Sequence, residues 1–237
     1  GQDLDGVKLD TYAYLDNEIV AVKAVNLVAG TVTVDRGVLD TVPVPHLAAA
    51  RIWFADALEA LITEQYLSGE TLQVKMLPAT GLGRLAESAA PADSYTFAGR
   101  MIRPYPPGNV KVNNAMWPTV ILGQIALTWS HRDRMQQTVY LVTQTEANIG
   151  PEAGTTYTVR VYNENNGLQK TVTGLSTTAW SYLTTDEATD SGLGRINGKL
   201  KIEIEAVRAG YTSWQKQTRS VDRAGYGLNY GKYYGGT

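Results

Sequence analysis

The residues able to do chemistry are few and poorly grouped. His131-Arg132-Asp133-Arg134 matches the opening of a kinase catalytic loop, where the Asp accepts a proton from the attacking hydroxyl. The match stops there, because the position five beyond Asp133 is Thr138 rather than Asn, and no Gly-rich loop or strand lysine precedes it. Four charge-capable residues directly after an apolar strand read better as a loop network. In it Asp133 pairs with Arg132 or Arg134, and His131 is structural. Gly81-x-Gly83-x-x-Ala86 carries two glycines of a dinucleotide fingerprint, without the βαβ unit or the acidic residue some twenty positions on that would make it one. Asp186, Glu187 and Asp190 lack the alternating acceptors of a calcium loop and read as a solvated loop. His46 ends the stiff run Thr41-Val42-Pro43-Val44-Pro45, with no activated serine nearby. Nothing selects a pair of carboxylates for glycoside hydrolysis. The expectation is a non-enzymatic chain with no catalytic residue, no metal and no cofactor.

Composition narrows the classes further. At roughly 150 residues per domain, 237 residues suggest one large domain or two modest ones. Lys plus Arg number 21 against 23 Asp plus Glu, a net charge of -2, so a broad basic face for nucleic acid is not expected. Hydrophobic residues at 43% are too many for a disordered chain. The absence of Cys removes disulfide scaffolds and thiolate metal sites, and two histidines make no His-rich cluster. Val112 to Ser130 is uncharged but interrupted by Asn113, Asn114, Pro118, Gly123 and Gln124, unlike the ~20 apolar residues of a membrane span. Gly1 in first place reads as the start of a fragment of something longer. Tyr (14) and Trp (5) far outnumber Phe (2), as on contact surfaces and in β-rich modules.

The elements that must position these residues are strands almost throughout. Ile19 to Val25 and Thr31 to Arg36 form a hairpin about Ala29-Gly30, followed by Arg51 to Phe54, Leu72 to Leu77 and Tyr95 to Arg100. Asp56 to Leu67 is the one helix candidate, with Leu58, Leu61 and Ile62 near helical spacing. Pro104, Pro106 and Pro107 exclude a sheet interior or a helix and predict a stiff spacer over 104–109. Beyond it, Ile125 to Trp129, Thr156 to Tyr162, Leu168 to Val172, Ala179 to Leu183, Leu200 to Val207 and Trp214 to Ser220 have the cadence of a β-sandwich. Leu127, Trp129, Tyr157, Val159 and Val161 are its expected core. The fold class is therefore all-β: a β-rich domain over 1–103, barrel or sandwich, joined through 104–109 to a sandwich over 110–222. The tail 223–237 holds five glycines and four tyrosines. Tyr226, Tyr230, Tyr233 and Tyr234 are candidate contact residues for a neighbouring chain, with glycines letting the backbone follow its surface.

The sandwich segment resembles a fibronectin type III domain, with Trp129 on strand B, Tyr157-x-Val159-x-Val161 on strand C and Ile202-x-Ile204-x-Ala206 on strand F. A wider resemblance rests on Arg36-Gly37-Val38-Leu39-Asp40-Thr41-Val42-Pro43 with His46, on Gly99-Arg100-x-x-Arg103-Pro104-Tyr105-Pro106-Pro107-Gly108-Asn109-Val110, and on Leu127-Thr128-Trp129-Ser130-His131-Arg132-Asp133-Arg134. The terminal Gly225-Tyr226-Gly227-x-x-Tyr230-Gly231 extends it. Over roughly residues 19 to 235 the chain is similar to the C-terminal portion of the tail hub, or tail-tip, proteins of long-tailed bacteriophages and gene-transfer agents. It departs from that pattern at Val44-Pro45 and in the Ala55 to Leu67 insert. The resemblance implies a structural virion component of the tail tip or baseplate, assembled in the host cytoplasm and acting in host attachment and tail-tip assembly. It implies a homotrimer, with other tail-tip proteins and a host cell-surface receptor or glycan as partners. The alternative is a carbohydrate-binding or accessory module of a secreted bacterial enzyme, with Trp53, Trp117, Trp180 or Trp214 stacking on sugar rings.

Overall fold

Period-two alternation of apolar and polar residues makes strands the dominant regular element, and the structure, a computed structural model, is all-β with one short helix among the residues it describes. Those residues are 4–56, 64–146 and 148–224. The helix expected over Asp56 to Leu67 and the four tail tyrosines, Tyr226, Tyr230, Tyr233 and Tyr234, lie wholly or mainly outside them.

The first four strands are β1 (Tyr12–Leu15), β2 (Glu18–Asn26), β3 (Thr31–Asp35) and β4 (Ile52–Phe54), in the antiparallel order β3-β2-β1-β4. This is an open sheet, and β2 is buried along Glu18 to Val22 because both its faces are covered. One face carries Ala13, Val20 and Val22, backed by Val34, Ile52 and Phe54. The other carries Ile19, Ala21 and Val38, closed by Leu39 and by Leu141 from a later loop.

Four short strands follow: β5 (Thr71–Lys75), β6 (Ala79–Thr80), β7 (Gly83–Arg84) and β8 (Ala92–Thr96). They pair as two ribbons, β5 with β8 and β6 with β7, so Gly81 and its neighbours are a hairpin turn. The expected strand over Tyr95 to Arg100 ends at Thr96, since Gly99 takes φ 63° and begins a 3-10 turn.

The sandwich is built from β9 (Gly108–Val112), β10 (Val120–Ile121), β11 (Ile125–Ser130), β12 (Thr156–Tyr162), β13 (Leu168–Leu175), β14 (Ala179–Tyr182), α1 (Thr184–Asp190), β15 (Lys199–Arg208), β16 (Tyr211–Thr212) and β17 (Gln217–Arg223). One sheet runs β14-β11-β9 and the other β10-β17-β15-β12-β13, with β16 on β15. Taking β9, β11, β12 and β13 as A, B, C and C′, and β14, β15 and β17 as E, F and G, the sheets are E-B-A and C′-C-F-G. That is a fibronectin type III-like order. Ala209 and Gly210, both at positive φ, make the two-residue turn that returns β15 into β16. Between the sheets lie Leu127, Trp129, Tyr157, Val159 and Val161, all buried, with Val112, Ile125, Ile202 and Ile204. Trp129 meets Tyr157 edge to face at 5.4 Å.

These elements form two compact units, Gly1–Ala57 with Pro104–Thr237, and Leu58–Arg103. The expected division at 103/104 is thus only half of the boundary. Residues 1–57 belong with the sandwich, because loops from beyond Pro104 cover the first sheet. The expected spacer also differs. Pro104, Pro106 and Pro107 are buried, and Gly108 and Asn109 already belong to β9. Proline's missing N–H keeps it out of a ladder, yet its ring is apolar and packs well when no donor is needed.

Candidate functional site

The most heavily bonded polar residues cluster where the first sheet meets the sandwich. Glu18 opens β2 fully buried, and its carboxylate accepts from Arg36 Nε (2.7 Å) and Nη2 (2.6 Å), Gly37 N–H (2.8 Å), Val44 N–H (3.2 Å) and His46 Nε2 (2.9 Å). Burial alone would raise the Glu18 carboxyl, but the bonds from Arg36, His46 and Val44 outweigh it and hold the group below its ordinary value. His46 Nδ1 lies 2.8 Å from Asp16. Burial opposes the imidazolium, yet the two carboxylates win and raise the His46 pKa. Gly37, at φ +59°, is required here: a Cβ would come within 2.6 Å of Pro43 Cδ.

Arg132 reaches the same place from the end of β11. It is buried, donates to Gly37 O (3.1 Å), Gln137 Oε1 (2.9 Å) and Val142 O (3.1 Å), and lies 5.3 Å from the Tyr105 ring centroid. Burial lowers its pKa to about 10, so it remains a cation at neutral pH. Thr143 Oγ1 donates to Arg36 O (2.9 Å), and Asn109 N–H to Gln144 O (2.6 Å). Gln215 accepts from Val42 N–H (2.8 Å) and donates to Asn17 O (2.6 Å). At Gly108 a Cβ would meet Gln144 O at 2.7 Å, so only glycine allows this approach. Three sequence segments far apart along the chain, around Arg36, Pro104 and His131, therefore meet in one junction. Its bonds run from charged or amide side chains to backbone groups, the chemistry of fixing a shape.

The other singled-out residues take structural places. Asp133 pairs with neither expected arginine. It accepts from Met135 N–H and Gln136 Nε2, while Arg134 pairs with Glu152 at 2.9 Å. His131 Nδ1 lies 2.7 Å from Tyr157 OH, and burial lowers its pKa. Asp186, Glu187 and Asp190 are on α1 rather than in a solvated loop. Glu187 is fully buried, paired with Arg223 and bonded by Asn197, and Asp190 accepts from Tyr182 OH (2.8 Å) and pairs with Lys170. Arg223 is accordingly the last residue of β17, not the first of the tail. Glu18, Gln144 and Gln217 were missed by sequence reading, since their partners lie far along the chain. Among the described residues no group of three His, Cys, Asp or Glu side chains is placed to hold a metal.

Beside the junction lies a groove of about 340 Å³, lined by Arg36, Pro43, Pro45, Trp117, Gln144 and Thr145 among others. The Arg219 guanidinium covers the Trp117 ring at 3.7 Å. Of the four candidate sugar platforms, Trp117 alone lines this groove. Trp53 and Trp214 are exposed elsewhere, and Trp180 packs on the sandwich core and stacks with Tyr182.

No family model matches the chain, and no curated protein matches it. A solved Fn3-like protein from Clostridium thermocellum aligns over 52% of this chain and 95% of its own, at 16% identity and a TM-score of 0.29. No helix of the described residues is long and apolar enough to cross a membrane.

Proposed function

We propose that this chain is a non-enzymatic structural component of a phage tail tip, acting in host attachment and tail-tip assembly as part of a homotrimeric hub. The observation that supports this reading is the junction. Two of the segments on which the resemblance to tail-hub proteins rests are 95 residues apart at Gly37 and Arg132, yet the Arg132 side chain donates to the Gly37 carbonyl. A catalytic site exposes its reactive groups to substrate, whereas Glu18 and Arg132 are buried and bonded within the chain itself. The unit Leu58–Arg103 agrees with an assembly role. Among its described residues, Ala90 is the one buried hydrophobic side chain, while Leu67, Val74, Met76, Leu82 and Tyr95 are exposed. Partners for that surface would be other tail-tip proteins or neighbouring copies.

The test is gold-labelled antibody, raised against the purified chain, on particles released by cells that encode it. Label at the tail tip, three copies per tail, is the expected result. Label absent from particles and found only on secreted protein would contradict the proposal and favour an accessory module of a secreted enzyme.

A further inference from the structure

The junction leaves one feature without a role, the groove beside Trp117. We propose that it binds an acidic sugar, a pyranose ring that carries a carboxylate. This deepens the attachment part of the proposed function.

Charge points to an anion. Arg219 is buried and gives its N–H groups to neutral acceptors: Met116 O (2.6 Å), Thr218 O (2.8 Å), Val110 O (3.1 Å) and Gln217 Oε1 (3.1 Å). It has no carboxylate partner among the described residues. Burial lowers its pKa only to about 10, so the charge persists at neutral pH. A cation without a counter-ion thus stands behind the Trp117 wall, in a setting where water screens it poorly.

The charge is also passed forward as a directed hydrogen-bond donor. An arginine can only donate, so Gln217 must turn its Oε1 to Arg219 and its Nε2 to Pro107 O (3.1 Å) and Gln144 Oε1 (3.4 Å). Gln144 is thereby held with its Oε1 toward Gln217 and its Nε2 toward Met116, which lines the groove with it. Gln144 is 2% exposed, and the partner of that Nε2 is the Met116 sulfur at 3.8 Å, a weak acceptor. A buried amide donor in this state gains most from a negatively charged oxygen. Arg36 adds a second donor, since Glu18 and Val44 O occupy its Nε and Nη2 and its Nη1 has no acceptor among the described residues.

Shape points to a ring with an apolar face. Trp117 is 53% exposed and lines the groove together with Pro43 and Pro45. A volume near 340 Å³ lies in the range of small-ligand sites. A pyranose supplies C–H groups for the indole and prolines, and its carboxylate reaches the donors of Arg36 and Gln144. A cationic ligand is repelled, and an uncharged apolar one leaves the Gln144 amide on its sulfur.

The test uses the full purified chain with methyl β-D-glucuronide and the neutral methyl β-D-glucoside, followed by calorimetry and saturation-transfer NMR. The glucuronide should bind saturably and about tenfold tighter than the glucoside. Its C–H protons should receive saturation from aromatic resonances. Added salt should weaken binding, Trp117→Ala should abolish it and Trp117→Phe should keep it. Equal affinity for the two sugars, no saturable glucuronide binding, or tighter binding of N-acetyl-Ala-Ala would overturn the proposal. The comparison of the two sugars needs no variant, so a Trp117→Ala protein that fails to fold leaves it decisive. Because the purified chain reports on the groove and labelled particles report on the tail tip, failure of one is distinguishable from failure of the other.

Discussion

The unit containing the sandwich and the unit Leu58–Arg103 hold themselves together by different means. In the first, fifteen buried side chains form one continuous core, and the first sheet adds two smaller ones. In the second, β8 is exposed at every position, and stability rests on strand pairing and on rings such as Tyr66 stacked on Phe97 at 4.5 Å. A two-stranded ribbon without a hydrophobic face is marginal in water. The lesson is that β-pattern alone does not make a domain. Strand segments on both sides of residue 58 look alike in sequence, but those before it have a partner layer in the same chain.

The sharpest way to break this comparison is to cut the larger core. Trp129→Ala should cost about 3–5 kcal/mol, because a large ring is removed from a close-packed site. A melting transition at the wild-type temperature would refute the assignment of that core. Glu187→Ala should cost a similar ~3–5 kcal/mol by leaving the Arg223 guanidinium buried and unpaired. Denaturant unfolding checks it, and a loss below about 1 kcal/mol, the size of an exposed pair, would contradict it. Gly37→Ala should cost about 1–3 kcal/mol, from positive φ and the close approach of Pro43. In the smaller unit, Tyr95→Ala should cost less than about 1 kcal/mol, as expected of exposed positions. A larger loss would show a core that the burial pattern does not contain.

The junction adds a pH dependence whose sign is fixed by its two titrating groups. His46 has a folded pKa above its reference value of 6.5, so its contribution is fully present below that pH and is lost as pH rises through the folded value. Glu18 has a folded pKa below 4.5, so its contribution is present above that value and is lost as pH falls through the folded one. Thermal melting across pH should show stability falling from about pH 6.5 upward in the wild type. His46→Gln should flatten that limb and leave the acid limb in place. An unchanged upper limb in His46→Gln would remove His46 from the account.

Much of the larger unit was legible in the sequence. Leu127, Trp129, Tyr157, Val159 and Val161 alternate with polar residues, and period two fixes which of them share a face. The hairpin of β2 and β3 was legible for the same reason. The helix α1 was not, since its seven residues give barely two turns of pattern, and Glu187 is buried by partners 10 and 36 positions away. The prolines of 104–107 read as a spacer because local rules describe what proline prevents, not what its ring packs against. Of the candidate site, His131, Arg132 and Asp133 drew attention, but the direction of their bonds depends on loops that only the tertiary structure brings near. The Arg219-Gln217-Gln144 relay left no local signal, apart from the alternation of Gln217 and Arg219 on one strand face.

Native-state hydrogen exchange tests most directly the claim that residues 1–57 and the sandwich are one body fixed by the junction. The amides of Ile19, Val42 and Asn109 are bonded within the junction, that of Val159 lies in the sandwich core, and those of Leu72 to Lys75 lie in the smaller unit. The account predicts that the junction amides exchange only through the global unfolding that exposes Val159, with the same dependence on denaturant, while the Leu72 to Lys75 amides exchange earlier through local opening. Junction amides that exchange early and independently of Val159 would contradict it, and would restore Pro104 to Asn109 as a stiff spacer between separate domains.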